Sequence, residues 1–378
     1  MTAEVNRIGA ARRFLLGPQG WPYLLTPFIP AAVALELGHA PAGLIFGVAA
    51  LGIIPTAALM GVATEELAAR SGPGIGGLLN VTFGNAPELI IALFALGEGL
   101  HEVVKASIVG SIIGNILLVL GASMFVGGIG RDHQKFNPQA ASVQASMLFL
   151  AAAAMVMPAI FELVEGRGLP APGAEIVNYG STVEQLSIAV AVVLIGTYVC
   201  GLIFSLRTHK DLFNPPYAQE DEEGFGWSVR RSVVMLCIAG IAVGLMSEIL
   251  VGSISEASES IGVSEFFIGV IVVAIVGNAA EHWVAVLVAA KDKMDLAVNI
   301  AIGSSAQIAL FVAPVLVIAS LVIGPGPMAL VFNGFELGAV LIAILIANVA
   351  TRDGSSNWFE GVQLLGLYGI LAIAFFFA

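Results

Sequence analysis

The 378-residue chain is 58% hydrophobic and 11% charged, with a mean hydropathy of +0.96. Soluble globular domains carry about 25% charged residues, so this composition belongs to a chain that crosses a bilayer many times. A net charge of −12 excludes the basic stripe that nucleic-acid binding needs, and the two cysteines, Cys200 and Cys237, say little about redox compartment.

A membrane-spanning helix needs about 20 apolar residues. A short run at 23–38, interrupted by Pro27 and Pro30, comes first. With Glu36 and the proline pair it makes a poor cleavable leader and is read as a retained first helix. Ten longer stretches follow at 41–64, 74–97, 106–128, 137–160, 185–206, 231–252, 264–290, 296–322, 328–350 and 358–377. The uncharged run 296–335 is too long for one span, and Gly324-Pro325-Gly326-Pro327 divides it. With the N-terminus inside, Arg7, Arg12, Arg13, Arg70, Arg131, Lys135, Arg207, Lys210, Arg230, Arg231, Lys291, Lys293 and Arg352 are cytoplasmic, and of the 15 basic residues only Lys105 and Arg167 fall outside. Such a bias fixes orientation and puts the C-terminus outside, in a multi-pass protein of the cell (plasma or inner) membrane.

The chain repeats itself. Gly84-Asn85-Ala86-Pro87-Glu88-Leu89 returns as Gly277-Asn278-Ala279-Ala280-Glu281-His282, an offset of 193 residues. The same offset pairs Glu66 with Glu259, Gly110 with Gly303 and Ser111 with Ser304; Phe136-Asn137 then matches Phe332-Asn333 at 196, after a three-residue insertion. Each copy holds five spans. Five is odd, so the second copy crosses the membrane upside down relative to the first, a common plan of secondary transporters whose substrate site lies near the midplane between the copies. The fold class is therefore all-α and polytopic: eleven transmembrane helices, as one N-terminal helix plus two inverted five-helix repeats. The divisions fall at 1–40, 41–208, an acidic cytoplasmic linker at 209–228, and 229–378.

The motif carries the chemistry. Asn85 and Glu88 are three residues apart and share a helix face, as do Asn278 and Glu281. A carboxylate near the bilayer centre is costly and needs a partner, and the spans place no lysine or arginine at comparable depth. Two glutamates arriving from inverted helices therefore call for a bound cation or protons. Pro87 has no N–H for the carbonyl of Phe83, and Gly84 admits a kink or a close backbone approach; Gly277 repeats that position. A freed carbonyl, an amide oxygen and a carboxylate form an all-oxygen set suited to a hard cation such as Ca²⁺. The metal-binding candidates are Glu88, Glu281, Asn85 and Asn278. Phe83, Gly84, Gly277, His282, Ser111, Ser304, Asn115 and Gln307 are candidates for the surrounding layer or a proton path. The glycines of the following spans also read simply as packing positions.

Three further acids rank below these. Glu66 and Glu259 lie at span ends, where water or capping accounts for them and a gating role is the alternative. Glu336 is placed one to two turns inside a span, either at the interface or on a proton path. The run Gln219-Glu220-Asp221-Glu222-Glu223 reads as a solvated linker, with calcium-responsive regulation as its sharper reading.

GNAPELIIALFAL and GNAAEH, the latter followed by KDKMDLAVNIAIGSSAQIALFVAP, closely resemble the two signature repeats of the Ca²⁺/H⁺ antiporter (cation/proton exchanger) family. The resemblance covers nearly all of 41–378, including GSIIGNILLVLG and ANVATRDGSSNW. Na⁺/Ca²⁺ exchangers carry a different motif rich in Ser, Thr and Pro. The resemblance implies eleven spans with 23–38 as the first, and Glu88 and Glu281 as Ca²⁺ ligands and proton acceptors beside Asn85 and Asn278. The stretch ahead of the first span is short beside the autoinhibitory extension of some plant members, so that regulation is not expected.

The function expected is export of Ca²⁺ in exchange for H⁺ by alternating access, with Ca²⁺ and protons as substrates, the lipid bilayer as environment, no cofactor, no enzymatic activity, and a homo-oligomer left open. From the residues alone three rivals stand: Na⁺-coupled exchange on the same fold, a cation channel lined by the two acids, and an intramembrane hydrolase. The last lacks an H-E-x-x-H motif and paired aspartates in adjacent spans.

Overall fold

The computed structural model describes residues 17, 20–174, 176, 179–209 and 226–378. The acidic run 219–223 and the basic residues Arg7, Arg12, Arg13 and Lys210 lie outside the described residues. Every apolar stretch read from the sequence holds a helix. In chain order these are α1 (Phe28–Leu37, preceded by a 3₁₀ turn, Trp21–Leu25), α2 (Ala42–Arg70), α3 (Gly72–Gly84), α4 (Ala86–Gly97), α5 (His101–Gly128), α6 (Pro138–Val164) and α7 (Ser181–Thr208). Then come α8 (Val229–Gly252), the short α9 (Ile254–Ile261), α10 (Glu265–Ala290), α11 (Met294–Ala319), α12 (Gly334–Ala350) and α13 (Trp358–Phe377).

Among the described residues eight helices are long and apolar enough to cross a membrane: α2, α5, α6, α7, α8, α10, α11 and α13. The pair α3 and α4 passes the same test together, bent by 43° where they meet. Trp21–Leu37 and α12 are shorter. Several boundaries differ from the sequence reading: the span placed at 41–64 runs on to Arg70, and two others bear on the site. The span placed at 328–350 becomes helical only at Gly334, and the one placed at 106–128 starts five residues earlier, at His101. Among the described residues the one sheet is a two-residue antiparallel ladder, Gln134–Lys135 against Ser355–Ser356, joining the turn after α5 to the turn before α13.

Local chemistry sets the helix ends. Asn137 and Asn333, matched in the repeat, are both N-caps: the Asn137 side chain accepts from the Gln139 and Ala140 N–H groups, and Asn333 from that of Glu336. Asn333 and Glu336 cap each other reciprocally, as do Asn357 and Glu360. This is the N-x-x-E form of the capping box.

α5 is buried along nearly its whole length and α11 is next; α7 and α13 mostly face outward. These two central helices begin 193 residues apart, at His101 and Met294. Gly110 and Gly269 let α5 lie directly on α10. A side chain at Gly110 would run into the Val270 carbonyl, and one at Gly269 would come within 3.0 Å of the Val103 carbonyl. Small residues at a membrane-helix crossing permit this approach, so at Gly110 the packing reading is the right one.

Candidate functional site

The first motif is the joint between α3 and α4. Its Asn85 has left the helical region (φ −95°, ψ 14°), and its backbone N–H donates to the Phe83 carbonyl. The carbonyl that Pro87 leaves unbonded is thus taken up locally, contrary to the expectation that it stands open. Pro87 falls at the start of α4, where its missing N–H is harmless. Glu88 sits in the first turn of α4, the end of a helix that favours negative charge. The second motif has Ala280 in place of proline and runs unbroken through α10, one turn after a π-helical segment, Ile268–Val273. One acid therefore stands at a helix start and the other in mid-helix.

The two motifs face each other. A methyl group on Gly84 would lie 3.5 Å from Oε1 of Glu281, and one on Gly277 would lie 3.4 Å from Cγ of Glu88. Each glycine thereby makes room for the other copy's glutamate. The asparagines cross in the same way, because Ser304 Oγ donates to Asn85 Oδ1 at 3.3 Å and Asn278 Nδ2 donates to Ser111 Oγ at 3.0 Å. Subtracting 193 from 304 and from 278 gives 111 and 85, so the two bonds join the same pair of repeat positions with the copies exchanged. Ser305 Oγ also donates to the Ile112 carbonyl, again one repeat apart.

The copies then diverge. Asn85 Nδ2 donates to Gln307 Oε1 at 2.5 Å, whereas Asn278 Nδ2 returns to its own helix at the Ala274 carbonyl. Ser304 Oγ reaches Oε2 of Glu281 at 3.1 Å. His282 Nε2 lies 3.1 Å from Asn115 Oδ1; as oriented, the amide oxygen only accepts, so the imidazole nitrogen carries the hydrogen.

Several acceptors remain unanswered. Glu88 Oε2 and Asn278 Oδ1 are buried without a hydrogen-bond donor, and no ion pair among the described residues involves Glu88 or Glu281. Buried acceptors without donors are uncommon, and here they share a site with two carboxylates. The arrangement can take a cation bound by oxygen, or protons, and among the described residues no Lys or Arg is paired with either acid.

The lower-ranked acids lie elsewhere. Glu66 is buried and accepts from Arg70 at 2.9 Å and from the Trp227 backbone N–H at 2.8 Å, which ties the end of the linker to α2. Its repeat partner Glu259 is exposed on α9. Glu336 is fully buried in the first turn of α12, not one to two turns along a span. Beside it is the group that the sequence reading missed. Lys105, expected as an outside cation, is only 1% exposed and ion-paired with Glu102. Lys105 is thus a buried cation at the head of α5, about two turns away from Ser111. The i, i+3 spacing of Glu102 and Lys105 was the available signal.

Comparison with known proteins bears on the whole chain. A family model described as sodium/calcium exchanger protein matches residues 41–207 and 231–377. A Ca²⁺/H⁺ antiporter of Synechocystis is 48% identical over 88% of this chain and 91% of its own length. The Ca²⁺/H⁺ antiporter ChaA of Bacillus subtilis is 46% identical over 93% of this chain and 97% of its own. The solved structure of native YfkE superposes with a TM-score of 0.79 at 42% identity, covering 94% of this chain and all of that one.

Proposed function

We propose, since the chain belongs to the Ca²⁺/H⁺ antiporters of the sodium/calcium exchanger family, that it is a secondary active transporter moving Ca²⁺ out of the cytoplasm in exchange for H⁺ around Glu88 and Glu281. The observation that carries this reading is the facing pair of motifs, two carboxylates with buried acceptor oxygens and no protein cation among them. Residues 41–208 and 229–378 are the two inverted copies, Trp21–Leu37 precedes them as the first of eleven spans, and the N-terminus is cytoplasmic. The bonds exchanged between copies at Asn85–Ser304 and Asn278–Ser111 support that symmetry. Exposed Val, Ile, Leu and Phe on α7, α8 and α13 form the surface that lipid covers.

Open to the cytoplasm with both glutamates ionised, the site receives Ca²⁺, whose two charges cancel theirs. The carboxylates of Glu88 and Glu281 and the amide oxygens of Asn85 and Asn278 supply ligands, and water completes the roughly 6–8 oxygens that Ca²⁺ takes. Open to the outside, the ion leaves and protons replace it. The state with neither, two facing carboxylates in a space poor in water, is the costly one. Avoiding it links the two fluxes and sets two protons per Ca²⁺ as the charge-balanced minimum. Ser304 and Ser111 hold the asparagines in place during the exchange, and the 43° joint at Asn85 is the element best suited to move.

The deciding experiment is Ca²⁺ uptake into everted membrane vesicles, driven by a pH gradient in the absence of sodium. Uptake that collapses with the gradient and ignores sodium supports the proposal. Flux that requires sodium, or passive flux without counter-transport, replaces it with exchange for Na⁺ or with a channel.

A further inference from the structure

A second buried cluster of charge lies at the head of α5. Glu102, Lys105 and Glu336 are 2%, 1% and 0% exposed. An ammonium has three hydrogens to donate, and three acceptors surround Lys105: a carboxylate oxygen of Glu102, the Val331 carbonyl at 3.1 Å and the phenol oxygen of Tyr179 at 3.4 Å. Nothing remains for Glu336. Its Oε2 accepts the Asn333 N–H at 2.8 Å, while Oε1 is buried with no partner.

Charge counting completes the argument. Glu336 lies within electrostatic reach of both Glu102 and Lys105. Two carboxylates and one ammonium leave one negative charge uncompensated if both acids are ionised, and burial makes an uncompensated charge expensive. A metal ion is a poor remedy, because the fixed ammonium repels it. A proton is the remedy that the geometry allows. We propose that Glu102 and Glu336 hold one proton between them beside Lys105, making a second proton-binding site separate from the Glu88–Glu281 pair.

The surroundings fit a site in contact with the outer medium. Tyr179 borders a surface cavity also lined by Glu162, Arg167 and Gly180. Burial pushes the Tyr179 phenol above the ordinary tyrosine value, with the Lys105 ammonium pulling the other way, so the group stays a neutral hydroxyl. The other titratable groups nearby are His101 on the same turn of α5, and Glu162 with Arg167, which pair at 3.4 Å while Arg167 donates to the Tyr179 carbonyl at 3.0 Å. The transport consequence rests on the orientation proposed above. With the cavity facing outward, Ca²⁺ export acquires a dependence on outer pH through an acid that Ca²⁺ never touches.

Infrared spectroscopy of the purified full-length protein tests the site by the C=O stretch of a protonated carboxylic acid, with Ca²⁺ as the only added probe. Wild type is expected to show one such band that survives saturating Ca²⁺. Glu336→Gln and Glu102→Gln should each remove it, since either leaves one acid exactly matched by Lys105, and Lys105→Met should double it. Gln preserves the capping geometry at position 336, and the Glu102→Gln variant gives an independent reading if Glu336→Gln does not fold. A Ca²⁺-insensitive band that persists in both Gln variants, or the absence of any acid band from wild type at saturating Ca²⁺, overturns the proposal. Glu88→Gln and Glu281→Gln report separately on the Ca²⁺-sensitive band, so failure of the exchange site is read apart from failure of this one.

Discussion

Glu88 and Glu281 face each other among amides and hydroxyls, while Glu102 and Glu336 lie at the head of α5 around the ammonium of Lys105. Glu102 and Glu336 are fully buried and Glu88 and Glu281 partly so, and only the first pair has a lysine beside it. Where the chain supplies the cation, the charge is nearly closed by the protein itself and only a proton is wanted. Where it supplies none, the proposed divalent cargo is free to bind and leave. On the proposed function, the presence or absence of a fixed positive charge decides which acid pair carries cargo.

The largest effect that tests this contrast is at the open pair. Glu88→Gln or Glu281→Gln leaves a single carboxylate to face a divalent cation, and exchange should fall to background in vesicles driven by a pH gradient. Glu336→Gln should leave substantial Ca²⁺ flux. If robust proton-driven uptake persists in either motif variant, the open pair is not the cargo site and the contrast is wrong.

The closed pair is broken most sharply from its cation. Removing one partner of a buried ion pair costs about 3–5 kcal/mol, so Lys105→Met should lower unfolding stability by roughly that amount. Adding Glu102→Gln to it should restore much of the loss. Denaturant unfolding in detergent of the single and double variants measures both. A single variant as stable as wild type would mean that Lys105 is not the charge that holds the cluster.

How far the sequence discloses each region follows from what makes it visible. The open pair was legible because it is written twice: the Gly-Asn-Ala-x-Glu block at an offset of 193 marks both acids, and the coincident Gly-Ser pairs mark the helices that reach across to them. Apolar runs located the helices for the same elementary reason, namely that lipid leaves no other length or composition available. The closed pair is assembled from α5, the first turn of α12, the extended stretch before it and the loop at Tyr179, so no local pattern contains it. Lys105 reads as a loop cation because hydropathy cannot see that α5 begins at His101 and that Val331 lies over it. Glu336 was misplaced through reading 328–350 as continuous helix, although Asn333-x-x-Glu336 is a start signal. The Phe83 carbonyl was misjudged because the chain bends at Asn85 and supplies its own donor.

Within the open pair, the two copies are not equivalent, and a smaller measurement resolves them. The single hydroxyl hydrogen of Ser304 is shared between the Glu281 carboxylate and the Asn85 oxygen, whereas Ser111 Oγ accepts from the Asn278 amide. Hydrogen bonds to charged groups contribute about 1.5–3 kcal/mol and neutral ones about 0.5–1.5 kcal/mol. Ser304→Ala should therefore weaken half-saturation by Ca²⁺ by about ten-fold or more, and Ser111→Ala by only about two- to ten-fold. Equal effects would mean that the exchanged Asn–Ser bonds, rather than contact with Glu281, set the contribution of both serines.

The smallest effects belong to the repeat-related acids outside both pairs, and they show that repetition alone does not make a site. Glu66 and Glu259 occupy matched positions, yet Glu66 is buried against Arg70 and the Trp227 N–H while Glu259 stands in the open. Gln at 66 keeps an oxygen for Trp227 and gives up only the charge facing Arg70, whose side chain is 34% exposed. A pair open to solvent on one side contributes about 0–1 kcal/mol. Glu66→Gln should thus cost less than about 1 kcal/mol in unfolding and leave exchange intact, and Glu259→Gln should be silent within about 0.5 kcal/mol. If Glu66→Gln instead halts transport at unchanged stability, then α2 and the end of the linker move with the site, and the contact through Trp227 is part of the exchange cycle rather than a static tie.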